Sequence, residues 1–93
     1  MHDLTDFQRE LLYVIASSEE LNGLAIKDEL ETYYETTVNH GQLYPNLDIT
    51  VAQGFVKKEQ VDGRTNSYAL TERGRRELVA RREWEHQYFS NSS

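Results

Sequence analysis

Three amides and an imidazole crowd one short stretch of this 93-residue chain: Asn39, His40, Gln42 and Asn46. A carboxamide carries an acceptor oxygen beside two N–H donors. That pair matches the N6 and N7 edge of adenine, and an imidazole supplies one further directional hydrogen bond. Asn39 serves equally well as a helix N-cap, its oxygen accepting from a backbone N–H two or three residues on. His40 is otherwise an ordinary surface residue. Tyr44 suits a core position or a phosphate hydrogen bond better than base reading.

A helix must carry these groups. Leu43, Leu47 and Val51 recur every four residues across Val38 to Phe55 and so share one face. The polar residues lie off that stripe, near its start. Gly54 fits a C-cap just past the end. Pro45 removes one N–H and predicts an irregular first turn. Two further helices precede this one. Thr5 or Asp6 caps the first, which runs to about Ser17 with Leu4, Phe7, Leu11, Val14 and Ile15 on a wide apolar stripe. The second spans about Leu24 to Glu35, with Ile26, Leu30 and Tyr33 or Tyr34 facing inward. Lys27, Asp28, Glu29 and Glu31 are its solvated side. Helices of this size joined by the short Glu35-Thr36-Thr37 turn make a helix-turn-helix unit.

From Val56 the period changes to two. Val56 to Val61 and Arg64 to Leu70 read as strands joined at Asp62-Gly63, with Asn66, Tyr68 and Leu70 on one face. A hairpin directly after the third helix is a wing. Its Lys57, Lys58 and Thr65 are placed for phosphate contacts, with Asn66 beside the tip and Lys27 of the second helix as a weaker candidate. Arg64 at the tip suits a narrow minor groove, where negative potential favours arginine, or is simply a solvated hairpin charge.

Thr71 caps a last helix reaching about Tyr88. Ala80, Trp84 and Tyr88 form one apolar stripe; Leu78, Val79 and Phe89 form another. Two stripes on a terminal helix exceed what one neighbour buries, so one is assigned to the first helix and the other to a second subunit. The alternative is that both serve one monomer core. The dimer contacts on this helix are accordingly sought among Leu78, Ala80, Trp84, Tyr88 and Phe89. The arginines of this helix pair with its own glutamates at i, i+4 spacing. The expected organisation is one domain over 1–89, mainly α with a small β-hairpin in the order α-α-α-β-β-α, its dimerisation helix at about 71–89, and a disordered tail at 90–93.

Composition bounds the partners. The apolar share is 38%, low for a small domain, which favours completing the core by dimerisation. There is no cysteine, which excludes disulfides and thiolate metal sites. His2, His40 and His86 fall in separate segments, so no metal site is expected and no cofactor. With no serine elbow and no phosphate-binding glycine loop, an enzyme is not expected. No apolar run approaches the roughly 20 residues that cross a membrane. MHDLTDF has no basic segment followed by an apolar one, so no signal peptide is expected and the chain reads as soluble and cytoplasmic.

The net charge of −6 runs against nucleic-acid binding, but its distribution does not. Residues 1–56 carry ten acidic and two basic side chains; residues 57–93 carry eight basic and six acidic. An acidic surface with only three lysines suits a very salty cytoplasm, or simply an acidic protein.

Gly41-Gln42-Leu43-Tyr44-Pro45-Asn46-Leu47 resembles the G-x-L-Y-P-x-L signature of PadR-like winged-helix transcriptional regulators. Asn22-Gly23-Leu24-Ala25-Ile26 resembles that family's small-residue entry to the second helix. Tyr68-Ala69-Leu70-Thr71 with Gly74 resembles its Y-x-L-T-x-x-G junction between wing and last helix. The likeness spans about residues 4–89 and, with the acidic balance, is greatest to members from halophilic archaea. It implies a homodimer built through first and last helices, with Leu4, Phe7 and Leu11 joining the last-helix contacts, and both third helices in successive major grooves of double-stranded DNA. Thr50 departs from the family, which usually has leucine there; if it faces the core, Ile49 is left exposed.

The function expected is a sequence-specific regulator that binds a palindromic operator, its third helices roughly 34 Å apart, one DNA turn. Few basic groups and many carboxylates predict a shallow or reversed salt dependence, with potassium or other cations bridging carboxylates and phosphates. The competing reading is a winged helix used only for protein contact, its acidic surface repelling DNA.

Overall fold

The computed structural model describes residues 4–18, 20–63 and 65–91. Helix α1 (Asp6–Ala16) opens on a capping box. Gln8 N–H donates to Thr5 Oγ1, and Thr5 N–H donates to Gln8 Oε1, both at 3.1 Å, which satisfies two of the donors a helix start leaves free. Leu11, Leu12 and Ile15 on its inner face are fully buried.

Strand β1 (Leu21–Asn22) follows, and helix α2 (Gly23–Tyr34) begins at once, capped by Asn22 Oδ1, which accepts from Ala25 N–H at 2.8 Å. Helix α2 buries Gly23, Ile26 and Leu30. One of Tyr33 and Tyr34 is expected on the inner face, and both are exposed. Tyr34 is tied to α1 through its hydroxyl, which donates to the Glu10 carboxylate. The left-handed Glu35 (φ 58°) then turns the chain toward helix α3 (His40–Ala52).

The turn is held by one carboxylate. Glu31 accepts from Val38 N–H at 2.7 Å and from Lys27 Nζ at 2.9 Å. In α3 Asn39's carbonyl is shared by Gln42 N–H (3.0 Å) and Leu43 N–H (2.9 Å), as is common at a helix start, and the helix runs unbroken through Pro45. Its buried face is Leu43, Leu47 and Thr50 rather than Leu43, Leu47 and Val51; Val51 is half-buried. Thr50 reaches the core at no cost in unpaired polar atoms, because its hydroxyl donates to Leu47 O at 2.6 Å. Ile49 is 41% exposed, the consequence anticipated from Thr50 facing inward.

Strands β2 (Val56–Gln60) and β3 (Asn66–Leu70) form the hairpin, each a residue or two shorter than its alternation predicted. The sheet is three-stranded, in the order β1-β3-β2 and antiparallel throughout, with Leu21 opposite Tyr68 and Val56 opposite Leu70. The order is therefore α1-β1-α2-α3-β2-β3-α4, a winged helix with one strand more than expected. Two residues are too few to show a period of two; β1 exists because Ser67 and Tyr68 offer it a partner.

Helix α4 (Glu72–Asn91) is capped by Thr71, whose hydroxyl accepts from Gly74 N–H at 3.0 Å and donates to Gly54 O at 2.7 Å. Gly74 is required here: a Cβ would overlap the carbonyl oxygen of Phe55. The helix runs through Asn91, so the segment expected as a disordered tail from residue 90 begins as helix. Leu78 is buried against the core, whereas Val79, Trp84, Tyr88 and Phe89 are not. The core thus lies between α1, α2, α3, the sheet and only the first turns of α4. No helix among the described residues is long and apolar enough to cross a membrane.

Candidate nucleic-acid interface

Helix α3 is fixed on one side and open on the other. Leu43, Leu47 and Thr50 are completely buried, while Asn39, His40, Gly41, Gln42 and Pro45 are exposed. Asn39 caps the helix, with its Oδ1 accepting from Gly41 N–H at 2.5 Å, and the residue is exposed. His40 lies edge-on to Tyr44, ring centroids 5.6 Å apart. Tyr44 is half-buried, its phenol resting on the start of α2, where a Cβ at Gly23 would come within 2.5 Å of the hydroxyl. Gly23 is thus the small residue that lets the two helices approach.

Two candidate contacts are committed within the chain. Asn46 is half-buried. Its Oδ1 accepts from Gln8 Nε2 at 2.7 Å, and its Nδ2 donates to Gln42 O at 2.7 Å. Its amide is thereby turned toward α1. Lys27 is bonded to Glu31, so its charge is spent on the α2–α3 turn. The Val38 N–H and the Lys27 ammonium together lower the Glu31 pKa.

The wing stands beside α3. Lys57 is exposed and 3.6 Å from Glu59; Lys58 Nζ is 3.6 Å from Asp48 Oδ1, which links β2 to α3. Asp62 Oδ1 accepts from Thr65 N–H at 3.1 Å, and Val61 N–H donates to Thr65 O at 2.8 Å, which closes the hairpin end. Asn22, Gly23, Leu24, Tyr44, Thr65, Asn66 and Tyr68 line a cleft of about 340 Å³ between the start of α2 and the wing. Arg64 lies outside the described residues, as does His2. Among the described residues no group of His, Cys, Asp and Glu side chains could hold a metal ion.

The residues read as dimer contacts divide in two. Leu4, Leu11 and Leu78 belong to this chain's own core, with Leu11 fully buried and Leu4 and Leu78 nearly so. Phe7 packs half-buried at its edge. Ala80, Trp84, Tyr88 and Phe89 are on the surface, the last three 48%, 60% and 81% exposed. The Trp84 and Tyr88 rings meet at a tilt of 57° with centroids 4.7 Å apart, and the Arg81 guanidinium lies 4.5 Å over the Trp84 ring.

Sequence reading missed Gln8, Glu31 and Arg73, which set the geometry of this face from outside it. Arg73 Nε donates to Gln53 O at 3.1 Å, and its guanidinium sits 4.9 Å over Phe55, clamping the end of α3 to the start of α4. The S/T-x-x-Q pattern of a capping box at Thr5-Asp6-Phe7-Gln8 was the available signal for Gln8.

A structure of RosR from H. salinarum grown from NaBr is 51% identical over 95% of this chain and 79% of that one, with a TM-score of 0.89. A complex structure of the same regulator, hsRosR-S1, is 52% identical over 94% of this chain and 77% of that chain, again at a TM-score of 0.89. Bacillus subtilis PadR in complex with operator DNA shares the fold at 24% identity, over 82% of this chain and 47% of that chain, with a TM-score of 0.69. No curated protein matches the chain. The model of the transcriptional regulator PadR-like family matches residues 11–80, which include the third helix, the wing and the junction at Gly74, and on that match the chain belongs to the PadR-like family.

Proposed function

We propose that this protein is a sequence-specific DNA-binding transcriptional regulator that acts as a cytoplasmic homodimer. The observation that carries the reading is the two-sidedness of α3. Its inner residues are completely buried, and its outer leading edge shows Asn39, His40 and Gln42 to solvent. A rigid helix with exposed amides enters the major groove and pairs with base edges. Lys57 and Lys58 contact phosphates and set register; Thr65, Asn66 and Arg64 bring the wing to the neighbouring minor groove. The half-buried Tyr44 contributes through its hydroxyl to a phosphate rather than to a base. Two copies joined through α4 and α1 set the two α3 helices one DNA turn apart, and a palindromic operator follows from the two-fold axis.

The acidic balance adapts this binding to high salt. Asp48 beside Lys58 is a carboxylate near the DNA-facing side, and a potassium ion shared between such a group and a phosphate turns repulsion into attachment. The usual steep loss of affinity with salt, which follows from counterion release, is then shallow or reversed.

The test is selection from genomic DNA fragments at about molar potassium chloride, followed by sequencing of what is retained. A two-fold-symmetric motif with half-sites one turn apart is expected. The double variant Lys57→Glu, Lys58→Glu should abolish retention. No enrichment at high or low salt from an intact dimer would replace this reading with that of a protein-contact module.

A further inference from the structure

Gln8 is a buried polar side chain with 5% exposure, and it serves two elements at once. Its Oε1 closes the capping box of α1 by accepting from Thr5 N–H, while its Nε2 donates to Asn46 Oδ1 on α3 at 2.7 Å. Asn46 Nδ2 donates in turn to Gln42 O at 2.7 Å, and Gln42 sits on the exposed edge of α3. This is a continuous polar path from the first turn of α1 to the backbone of the edge that faces outward. Leu11, Leu12 and Ile15 of α1 share one apolar core with Leu43 and Leu47 of α3, and apolar packing is non-directional. Leu43 and Leu47 hold α3 against the core but tolerate small rotations about its axis. A directional hydrogen bond of 2.7 Å to Asn46, at the middle of the helix, restricts that rotation.

We infer that Gln8 is a specificity-determining positioning residue. By bonding Asn46 it sets the rotation of α3, and so the register in which Asn39, His40 and Gln42 meet base edges. The inference rests on the DNA-reading function proposed above. It assigns Asn46 to the inside of the mechanism: its amide orients the reading helix and does not read. It also joins the first turn of α1 to α3 through the Gln8 amide itself.

Gln8→Met keeps length and apolar fill but removes both hydrogen bonds. Its affinity for the selected operator should fall about tenfold, the equivalent of one buried side-chain hydrogen bond. Affinity for unrelated DNA of the same length, which depends on phosphates, should stay within about twofold. Asn46→Ala should give the same loss, spread over every base pair that the α3 edge reads. Combining it with Gln8→Met should cost no more than either alone, since both break one link. Thr5→Ala, which weakens the cap without touching Asn46, should lower the melting temperature and leave the ratio of operator to unrelated DNA affinity unchanged. If Gln8→Met fails to fold, the Asn46→Ala profile decides alone.

A loss confined to one base pair would make Asn46 a direct reader and overturn the inference. So would an equal loss on operator and unrelated DNA, or an unchanged ratio in Gln8→Met. Failure of the underlying function looks different: the unaltered protein would then show no preference for any sequence, and the inference would fall with it.

Discussion

Helix α3 and the distal half of α4 treat their apolar residues in opposite ways. In α3, Leu43 and Leu47 are completely buried and the exposed edge is amide and imidazole. In α4 beyond Leu78 the relation inverts. Arg81 and Glu85 pair along the helix at 3.1 Å, while Trp84, Tyr88 and Phe89 stand in solvent. One element is completed by its own chain and the other is not. Isolated surface hydrophobes call for no explanation, but three large aromatics within six residues of one helix do. The lesson is that the chain folds around α3 and leaves the aromatics of distal α4 uncovered by its own core, the surface that the proposed homodimer would bury.

Two substitutions break this comparison if it is wrong. Leu47→Ala, with no exposure to lose, should cost about 2–5 kcal/mol of folding stability through lost burial and a cavity, as read by denaturant unfolding at fixed protein concentration. Trp84→Ala removes a larger side chain yet should do little to the fold of a single copy. Its effect belongs to association: sedimentation should show a concentration-dependent shift from dimer to monomer, and the melting temperature should become more sensitive to protein concentration. A Trp84→Ala protein that unfolds like Leu47→Ala at every concentration would mean that α4's aromatics serve the monomer. The next effect is smaller. Gln42→Ala should leave stability unchanged and cost about 1–3 kcal/mol of discrimination at a single base pair of each half-site. Equal weakening at all positions would make Gln42 a spacer.

The sequence revealed the two sides of this contrast unequally. Periods of 3.6 and 2 placed four helices and the hairpin, because Leu43, Leu47 and the Asp62-Gly63 turn are local signals. Strand β1 was illegible, since two residues have no period and their pairing with Ser67 and Tyr68 is a long-range event. Thr50 replaced Val51 on the inner face because its hydroxyl can bond Leu47 O inside the helix, a compensation that hydrophobicity patterns do not register. Tyr33 and Tyr34 went outward for a related reason: an aromatic at helical spacing reads as core, yet Tyr34 is held at the surface by Glu10. In the candidate interface the outward amides of Asn39 and Gln42 were legible from their distance to the stripe. Asn46 and Lys27 were not, since their partners Gln8 and Glu31 lie on other elements or a turn away, and sequence spacing alone does not show which polar groups the fold consumes.

The smallest expected effect concerns how α3 is entered. Glu31 accepts from the first buried residue of the segment leading to α3, Val38, and its carboxylate pKa is lowered first by that backbone N–H and then by Lys27. A carboxyl group whose folded pKa lies below its unfolded value adds stability that is fully present above the unfolded pKa of about 4.3. That stability is lost as pH falls through the lowered folded value. Glu31→Gln keeps an oxygen for Val38 N–H but has no charge to titrate. Its melting temperature should therefore sit below that of the unaltered protein at neutral pH, and the gap should close on acidification through the carboxylate range. Every other carboxylate is common to both proteins and cancels in the difference. A gap that persists unchanged into acid would mean that Glu31 acts through its shape, and that the entry to α3 is fixed by packing of Val38 rather than by charge.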